Sequence, residues 1–286
     1  MTSKFIRSKS NVSEATGART ADETDEASAA TNVRTLFNAI APSYDRLNHL
    51  LSFGLDRRWW RSTAHTFRDI LARPEARVLD ICCGTGDMTS ALLAERPSAS
   101  PALSPHTPGS PSLASDTSVS ITREGIPVEP VTGLDFSPEM LQRARTKYAT
   151  ANALWVEGDA MHLPYPDASF DLVTAAFGFR NLSNYPDALT EIFRVLRPGG
   201  QVGILECNHP NGLSGAFYLL YLNYVLPVIG GWISGERAAY KYLPASIARF
   251  PRPPRMKQMI LEAGFQAPTW RGYFLRAAGL YRATKP

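Results

Sequence analysis

Three short stretches bring together residue types that do chemistry as a set. Val78-Leu79-Asp80-Ile81 runs into Cys82-Cys83-Gly84-Thr85-Gly86-Asp87-Met88-Thr89, an apolar run broken by a glycine turn. Glycines between a strand and a helix let a ligand approach the backbone closely. A second apolar run, Val131-Thr132-Gly133-Leu134, ends in Asp135. An acid at such a strand tip can accept hydrogen bonds from both hydroxyls of a ribose. A third, Ala153-Leu154-Trp155-Val156, leads to Gly158-Asp159-Ala160, where an acid can accept from the exocyclic amine of an adenine. Each acid singly could be no more than a cap on the helix after it. Together, on consecutive strand ends beside a glycine turn, they point to a nucleoside site.

Several chemistries are disfavoured by the same residues. Thr89 stands where a dinucleotide fingerprint needs its third glycine, and the lysine and Ser/Thr of a phosphate-binding P-loop are missing. The three cysteines, Cys82, Cys83 and Cys207, have neither metal-ligand nor redox spacing. They fit a reducing compartment. No metal-ligating constellation is evident.

The elements that must position these residues alternate strand and helix. Strands are expected at 77–81, 131–135, 153–156, 170–177 and 201–207. Helices are expected at 89–96 and 140–148, the latter opened by the cap Ser137, Pro138 and the acid Glu139. Leu189, Ile192, Phe193 and Leu196 have helical spacing, with Arg197-Pro198-Gly199-Gly200 as its stop. A closing hairpin is expected over 269–274 and 278–283. Repeated βα units imply an α/β fold, a mostly parallel sheet covered by helices on both faces. The chain has 286 residues, 44% apolar and 20% charged. That supports one large domain or two small ones and excludes a wholly disordered or membrane-embedded protein. Polar residues 1–31 read as a disordered tail, and the Pro/Ser-rich segment 97–130 as a disordered surface insertion. The remainder, 32–286, is expected to form a single domain. The net charge of +4 does not demand nucleic acid, though a pI near 9.0 leaves anionic partners open.

Longer motifs carry a resemblance. Tyr44-Asp45-Arg46-Leu47-Asn48-His49-Leu50-Leu51-Ser52-Phe53-Gly54, Arg58-Trp59-Trp60 and Phe177-Gly178-Phe179-Arg180-Asn181 are similar to signatures of the UbiE-type ubiquinone/menaquinone biosynthesis C-methyltransferases. So are Arg194-Val195-Leu196-Arg197-Pro198-Gly199-Gly200 through Glu206, and Ala239-Tyr240-Lys241-Tyr242-Leu243-Pro244-Ala245-Ser246-Ile247. The resemblance covers about 32–96 and 131–286. The chain departs from the family at Leu47, Asp56, Ala176 and Asn208, where methionine, histidine, serine and serine are usual.

The resemblance implies a class I S-adenosylmethionine-dependent methyltransferase fold, Rossmann-like, with a helical cap over 32–75 and a substrate lid over 208–255. It implies that Thr89, Asp135, Asp159 and Ala160 contact S-adenosylmethionine, while Asp80, Gly84 and Gly86 shape the loop beside its amino-acid end. The implied acceptor is a ring carbon of a prenylated quinol, demethylmenaquinol above all. The Cys82-Cys83 pair looks more like the menaquinone branch. Benzoquinol acceptors, another small molecule, a nicotinamide oxidoreductase and a non-catalytic scaffold are the rivals. Arg180 is the first candidate to stabilise a phenolate, with Asn181 and Tyr44 to orient ring hydroxyls. His49, His65, His162 and His209 are weaker candidate bases. The apolar stretch 217–233 is too short and too interrupted, by Pro227 and Gly230-Gly231, to span a bilayer. It reads as a core or lid helix, or as a wall for a polyprenyl tail. The cluster from Arg249 to Lys257 could attract anionic lipid. A cytoplasmic protein resting on the inner face of the membrane follows from this reading, with a homodimer left open.

Overall fold

The computed structural model describes residues 17, 31, 33–35, 37, 38, 41, 45, 49, 52, 54–97, 100, 101, 120–122, 125–208 and 237–286. The expected tail therefore lies outside the described residues, apart from Gly17 and Thr31, as do Tyr44, His209 and the stretch 217–233.

Seven strands form one sheet. In chain order the strands are β1 (Val78–Ile81), β4 (Val131–Asp135), β5 (Ala153–Glu157), β6 (Phe170–Ala176), β7 (Leu196–Cys207), β8 (Gln266–Tyr273) and β9 (Ala278–Thr284); β2 (Ser100–Pro101) and β3 (Ser120–Ile121) pair separately. The spatial order is β5-β4-β1-β6-β7-β9-β8. The first five are parallel, and β9 runs antiparallel to both β7 and β8. The expected parallel sheet with a terminal hairpin at one edge is what forms.

Alternation of side chains builds the layers. Leu79, Val173, Val202, Ile204 and Tyr281 pack on one face with α5 (Tyr185–Val195) and α7 (Pro253–Glu262). Val78, Val131, Leu172, Leu205 and Leu280 pack on the other with α1 (Asp56–Thr66), α2 (Arg68–Leu71) and α3 (Asp87–Leu93). Helix α4 (Pro138–Lys147) begins as the residues dictate: Ser137 Oγ accepts from Met140 N at 3.2 Å, with Pro138 in the first turn. Helix α6 (Arg237–Arg249) precedes α7. Among the described residues no helix is long and apolar enough to cross a membrane.

Two expectations about boundaries shift. The helix stop precedes Leu196, and β7 already runs through Arg197-Pro198-Gly199-Gly200. A bulge absorbs the extra residues, since Phe170 pairs with Leu196 but Leu172 with Gln201. Gly199 at φ +78 and paired backbone bonds between Gly199, Gly200 and Lys285 hold it. The ends of the 97–130 segment are also ordered. Ser100 and Pro101 pair with Ile121 and Ser120, and Val128 is buried. Arg96 anchors this base by donating to the carbonyls of Arg73, Pro74 and Glu129. Residues 102–119 lie outside the described part.

Candidate functional site

The strand order changes direction between β1 and β6, and open α/β sheets bind ligands beyond the carboxyl ends of strands at such a point. A cleft lies there. Its walls come from the ends of β1 (Cys82, Gly84), β4 (Asp135), β5 (Asp159, Ala160) and β6 (Phe177, Gly178, Asn181).

Backbone geometry makes the floor. The chain leaves β1 through Cys82 at φ +53 and leaves β6 through Phe177 at φ +57. Side chains seldom adopt this region, and such strain gathers at functional sites. The two turns touch. A Cβ on Gly178 would lie 2.3 Å from Cys82 Cβ, so only glycine fits. Gly86, at φ +88, opens α3, and there a Cβ would lie 2.5 Å from the Trp155 ring.

Asp135 is the best-defined polar group. It is buried, and its Oδ2 accepts from Gly84 N at 2.8 Å and its Oδ1 from Ser137 N at 2.9 Å. A carboxylate has about four lone-pair positions. Two are filled by the backbone, which leaves two for a ligand with paired hydroxyls. Burial pushes the Asp135 carboxyl up to about 6, opposed by the N–H groups of Ser137 and Gly84. It is therefore ionised at neutral pH. Asp159 is more open: Oδ1 accepts from Met161 N at 2.8 Å, and Oδ2 lies 3.1 Å from His162 Nδ1. It does cap the turn after β5, and it lines the cleft as well. Ala160 is buried in the same wall.

Asp80 and Thr89 sit behind the loop, so Thr89, expected to contact the cofactor, is not among the described residues lining the cleft. Both are fully buried; Asp80 Oδ2 accepts from Thr89 Oγ1 at 2.7 Å and Oδ1 from Thr174 Oγ1 at 2.8 Å. Burial pushes Asp80 up to about 7, partly offset by these two hydroxyls. The pair ties α3 to β1 and β6 beneath the glycine turn.

Arg180 is placed differently from what its candidacy required. It does not line the cleft. Its Nη1 donates to the Phe177 carbonyl and to Glu206 Oε1, the latter at 2.6 Å, while Arg180 N donates to Glu206 Oε2 at 3.1 Å. Glu206 is fully buried and Arg180 nearly so. Asn181 does line the cleft, and its Oδ1 accepts from Tyr242 Oη of α6 at 3.0 Å. Burial raises the thiols of Cys82 and Cys83 well above the usual range, so neither is a nucleophile at neutral pH. Among the described histidines, His49 lies 2.5 Å from Asp56 and His65 3.5 Å from Glu95. Among the described residues no group of three or more His, Cys, Asp or Glu is placed to share a metal.

A cap over 32–75 was expected, but not the residues through which it meets the site. Val33 and Phe37 line the cleft from the N-terminal segment. Asn38 Oδ1 accepts from Ser137 Oγ at 2.6 Å. Asp45 accepts from Thr85 at 2.6 Å and from Lys147 at 2.7 Å, and Lys147 also reaches Asp87 at 2.8 Å. These bonds fasten the segment over the glycine turn. Asp45 and Tyr242 do lie inside motifs noted in the sequence, but each was overshadowed by a neighbour.

Comparison with known proteins narrows the class. A model described as the ubiE/COQ5 methyltransferase family matches residues 24–285. A demethylmenaquinone methyltransferase of Deinococcus radiodurans is 41% identical over 257 residues, covering 88% of this chain and 92% of the relative. One from Thermus thermophilus is 42% identical over 234 residues, covering 80% and 91%. Among solved structures, a SAM-dependent methyltransferase of Thermotoga maritima superposes with TM-score 0.53 at 19% identity, covering 89% of this chain and all of that one. The [4+2]-cyclase SpnF superposes at 0.56 with 18% identity, covering 90% and 97%. The structural likenesses establish the fold alone; that a cyclase shares it shows how little fold says about the reaction.

Proposed function

The chain belongs to the ubiE/COQ5 methyltransferase family, and on that premise we propose that it transfers a methyl group from S-adenosylmethionine to a ring carbon of a prenylated quinol, converting demethylmenaquinol to menaquinol. The observation that carries the cofactor half is Asp135, a buried carboxylate with two acceptor positions filled by backbone and two left over. The names of the relatives favour the naphthoquinol acceptor.

The residues present fit S-adenosylmethionine. Asp135 would take the two ribose hydroxyls. Asp159 would accept from the adenine amine, with Ala160 against the ring. The turn from Cys82 to Gly86 would face the amino-acid end, braced from behind by Asp80 and Thr89. When bound, the cofactor supplies a methyl group on a positively charged sulfur, poised for displacement.

The chain's remaining task is to hold a ring carbon in line with that methyl and to keep water out. Phe177, Leu182, Val33 and Phe37 give the cleft apolar walls. A ring carbon becomes a good nucleophile when its neighbouring phenol loses a proton. Asn181, with Oδ1 held by Tyr242, presents its amide nitrogen as a donor to a ring oxygen. Arg180 serves as a positioning residue. Its charge is matched by Glu206, and through the Phe177 carbonyl and its own N–H it fixes the turn that carries Gly178 and Asn181. Tyr44 remains the candidate for the other ring hydroxyl. The hydrophobic tail of such a substrate resides in a bilayer, so the protein would work at a membrane surface.

The test uses S-adenosylmethionine labelled in its methyl group, with demethylmenaquinol and a demethylated benzoquinol as separate acceptors under reducing conditions. Label in the naphthoquinol alone is the expected result. Label in the benzoquinol alone would move the enzyme to the other branch. Label in neither, with the cofactor bound, would discard the quinol acceptor.

A further inference from the structure

Charge is unevenly spread along the chain. Residues 237–286 contain ten Lys and Arg and one acidic side chain, Glu262. The whole chain is only +4, so the rest is net negative. Such asymmetry marks a surface for an anionic partner.

A second cleft, separate from the one holding Asp135, lies largely within this part. Its lining includes Asn208, Arg252, Lys257, Trp270 and Arg276. Its described lining residues include three cations and no carboxylate. Among the described residues Arg252, Lys257 and Arg276 make no ion pair; the nearby Glu262 is held by Arg255 at 3.0 Å. The Trp270 ring lies flat on the hairpin, where a Cβ on Gly279 would be 2.3 Å from Nε1. The Arg276 guanidinium stacks over that ring at 5.8 Å, and Trp270 Nε1 is buried with no hydrogen-bond partner among the described residues. Three cations without an ion-pair partner among the described residues thus gather around one aromatic ring, a charge arrangement that suits a phosphate-type anion.

Beside it the β8–β9 turn projects an apolar tip. Phe274 is 53% exposed and Leu275 64%. Both, with Arg276, are held at positive φ of 31, 53 and 67°. Three consecutive left-handed residues without a glycine are costly. The turn presents two large apolar side chains to solvent where burial would have been favourable. Ala278 pairs with Cys207, and Asn208 N donates to the Ala277 carbonyl at 2.8 Å. The tip therefore stands at the carboxyl end of β7, the same end of the sheet as the Asp135 cleft.

We propose that the Phe274-Leu275 tip and the Arg252/Lys257/Arg276 cleft together dock the protein on an anionic lipid surface, the tip entering the acyl boundary and the cleft taking a lipid phosphate. A nucleic acid could use the cations and stack a base on Phe274, but the exposed Leu275 beside it fits an acyl boundary better. The arrangement turns the mouth of the catalytic cleft toward the bilayer, where a prenylated acceptor is found. The significance of docking rests on the quinol reading; the docking itself does not.

The test is flotation of the full chain with vesicles of phosphatidylcholine alone or with one quarter phosphatidylglycerol, without any acceptor. Binding to the anionic vesicles alone, weakened by salt, is expected. The triple variant R252Q/K257Q/R276Q should lose on the order of 100-fold in vesicle affinity, at about 1 kcal/mol per cation. F274S/L275S should lose roughly tenfold while keeping the salt dependence. R68Q, a change in an exposed cation of α2, should bind as wild type. For both docking variants KM should rise for a vesicle-embedded acceptor, with turnover of a short-chain soluble acceptor unchanged. Undiminished flotation of the triple variant would overturn the proposal. So would equal binding to neutral vesicles, retention of an RNA oligonucleotide in place of vesicles, or tight calorimetric binding of inorganic phosphate with no vesicle binding. Vesicle binding with no methyl transfer to any quinol would leave the docking surface standing and remove the substrate.

Discussion

The two sides of the catalytic cleft are built on opposite principles. At the ends of β1 and β4, Asp135 is held by two backbone N–H groups and keeps half of its acceptor capacity. At the ends of β6 and β7, Arg180 and Glu206 are buried against each other, and neither is among the described residues that line the cleft. One side is prepared for a polar ligand. The other uses its charges to hold a turn and presents the neutral Asn181 instead. A charged residue in a signature motif can thus be there for the loop it holds rather than for the substrate it meets.

The contrast can be broken most forcefully on the structural side. Glu206→Ala removes the buried carboxylate that accepts from both Arg180 Nη1 and Arg180 N, so denaturant unfolding should show a loss of about 3–5 kcal/mol. A loss below about 1 kcal/mol, the range of an exposed pair, would mean the pair is not the brace described.

Asp80 tests the support beneath the glycine turn. Its carboxyl is raised from 3.8 to about 7 by burial, so the fold favours its protonated form. Its contribution to stability is present in full below pH 3.8 and is lost as pH rises through about 7. Asp80→Asn should remove that loss. The stability difference between wild type and variant, followed by denaturant titration, should shift in the variant's favour between pH 4 and 8. A difference independent of pH would contradict the assignment.

Gly178 sharpens the comparison, because there the two sides touch. Gly178→Ala sets a Cβ against Cys82 and should cost roughly 1–3 kcal/mol. It should also weaken cofactor binding, although the residue lies on the acceptor side. Unchanged cofactor affinity would mean that the two turns move independently. The smallest effect is expected from Asn181→Ala. KM for the quinol should rise by about tenfold, the worth of one hydrogen bond, with cofactor affinity unchanged. Equal effects on both would place Asn181 on the cofactor instead.

Much of this was legible from the residues. Strands β1, β4, β5 and β6 follow from apolar runs with turn signals, and Ser137-Pro138 marks the start of α4 as it should. The glycine turn and the two acids stand out because each is a local feature, and the structure brings Gly84, Asp135 and Asp159 to one cleft. What was not legible depends on distant partners. Arg180 meets Glu206 across 26 residues, Asn181 meets Tyr242 across 61 and Asp45 meets Thr85 across 40. No local pattern records such pairs, so the sequence does not say which polar groups are already spent. The early start of β7 was hidden for another reason. Pro198 and the paired glycines read as a stop, yet here they form a bulge that Lys285 closes.

The central claim is that Asp135, unlike Arg180, keeps its charge for a ligand. Calorimetric titration of S-adenosylmethionine into wild type and D135N between pH 5 and 8 addresses it directly. The account predicts wild-type affinity that rises as pH passes about 6, where the carboxyl ionises. It predicts a variant at least about 100-fold weaker, with two hydrogen bonds to a charged group at about 1.5–3 kcal/mol each, and with no such rise. A D135N affinity within twofold of wild type at pH 8 would contradict it and move the ribose elsewhere in the cleft.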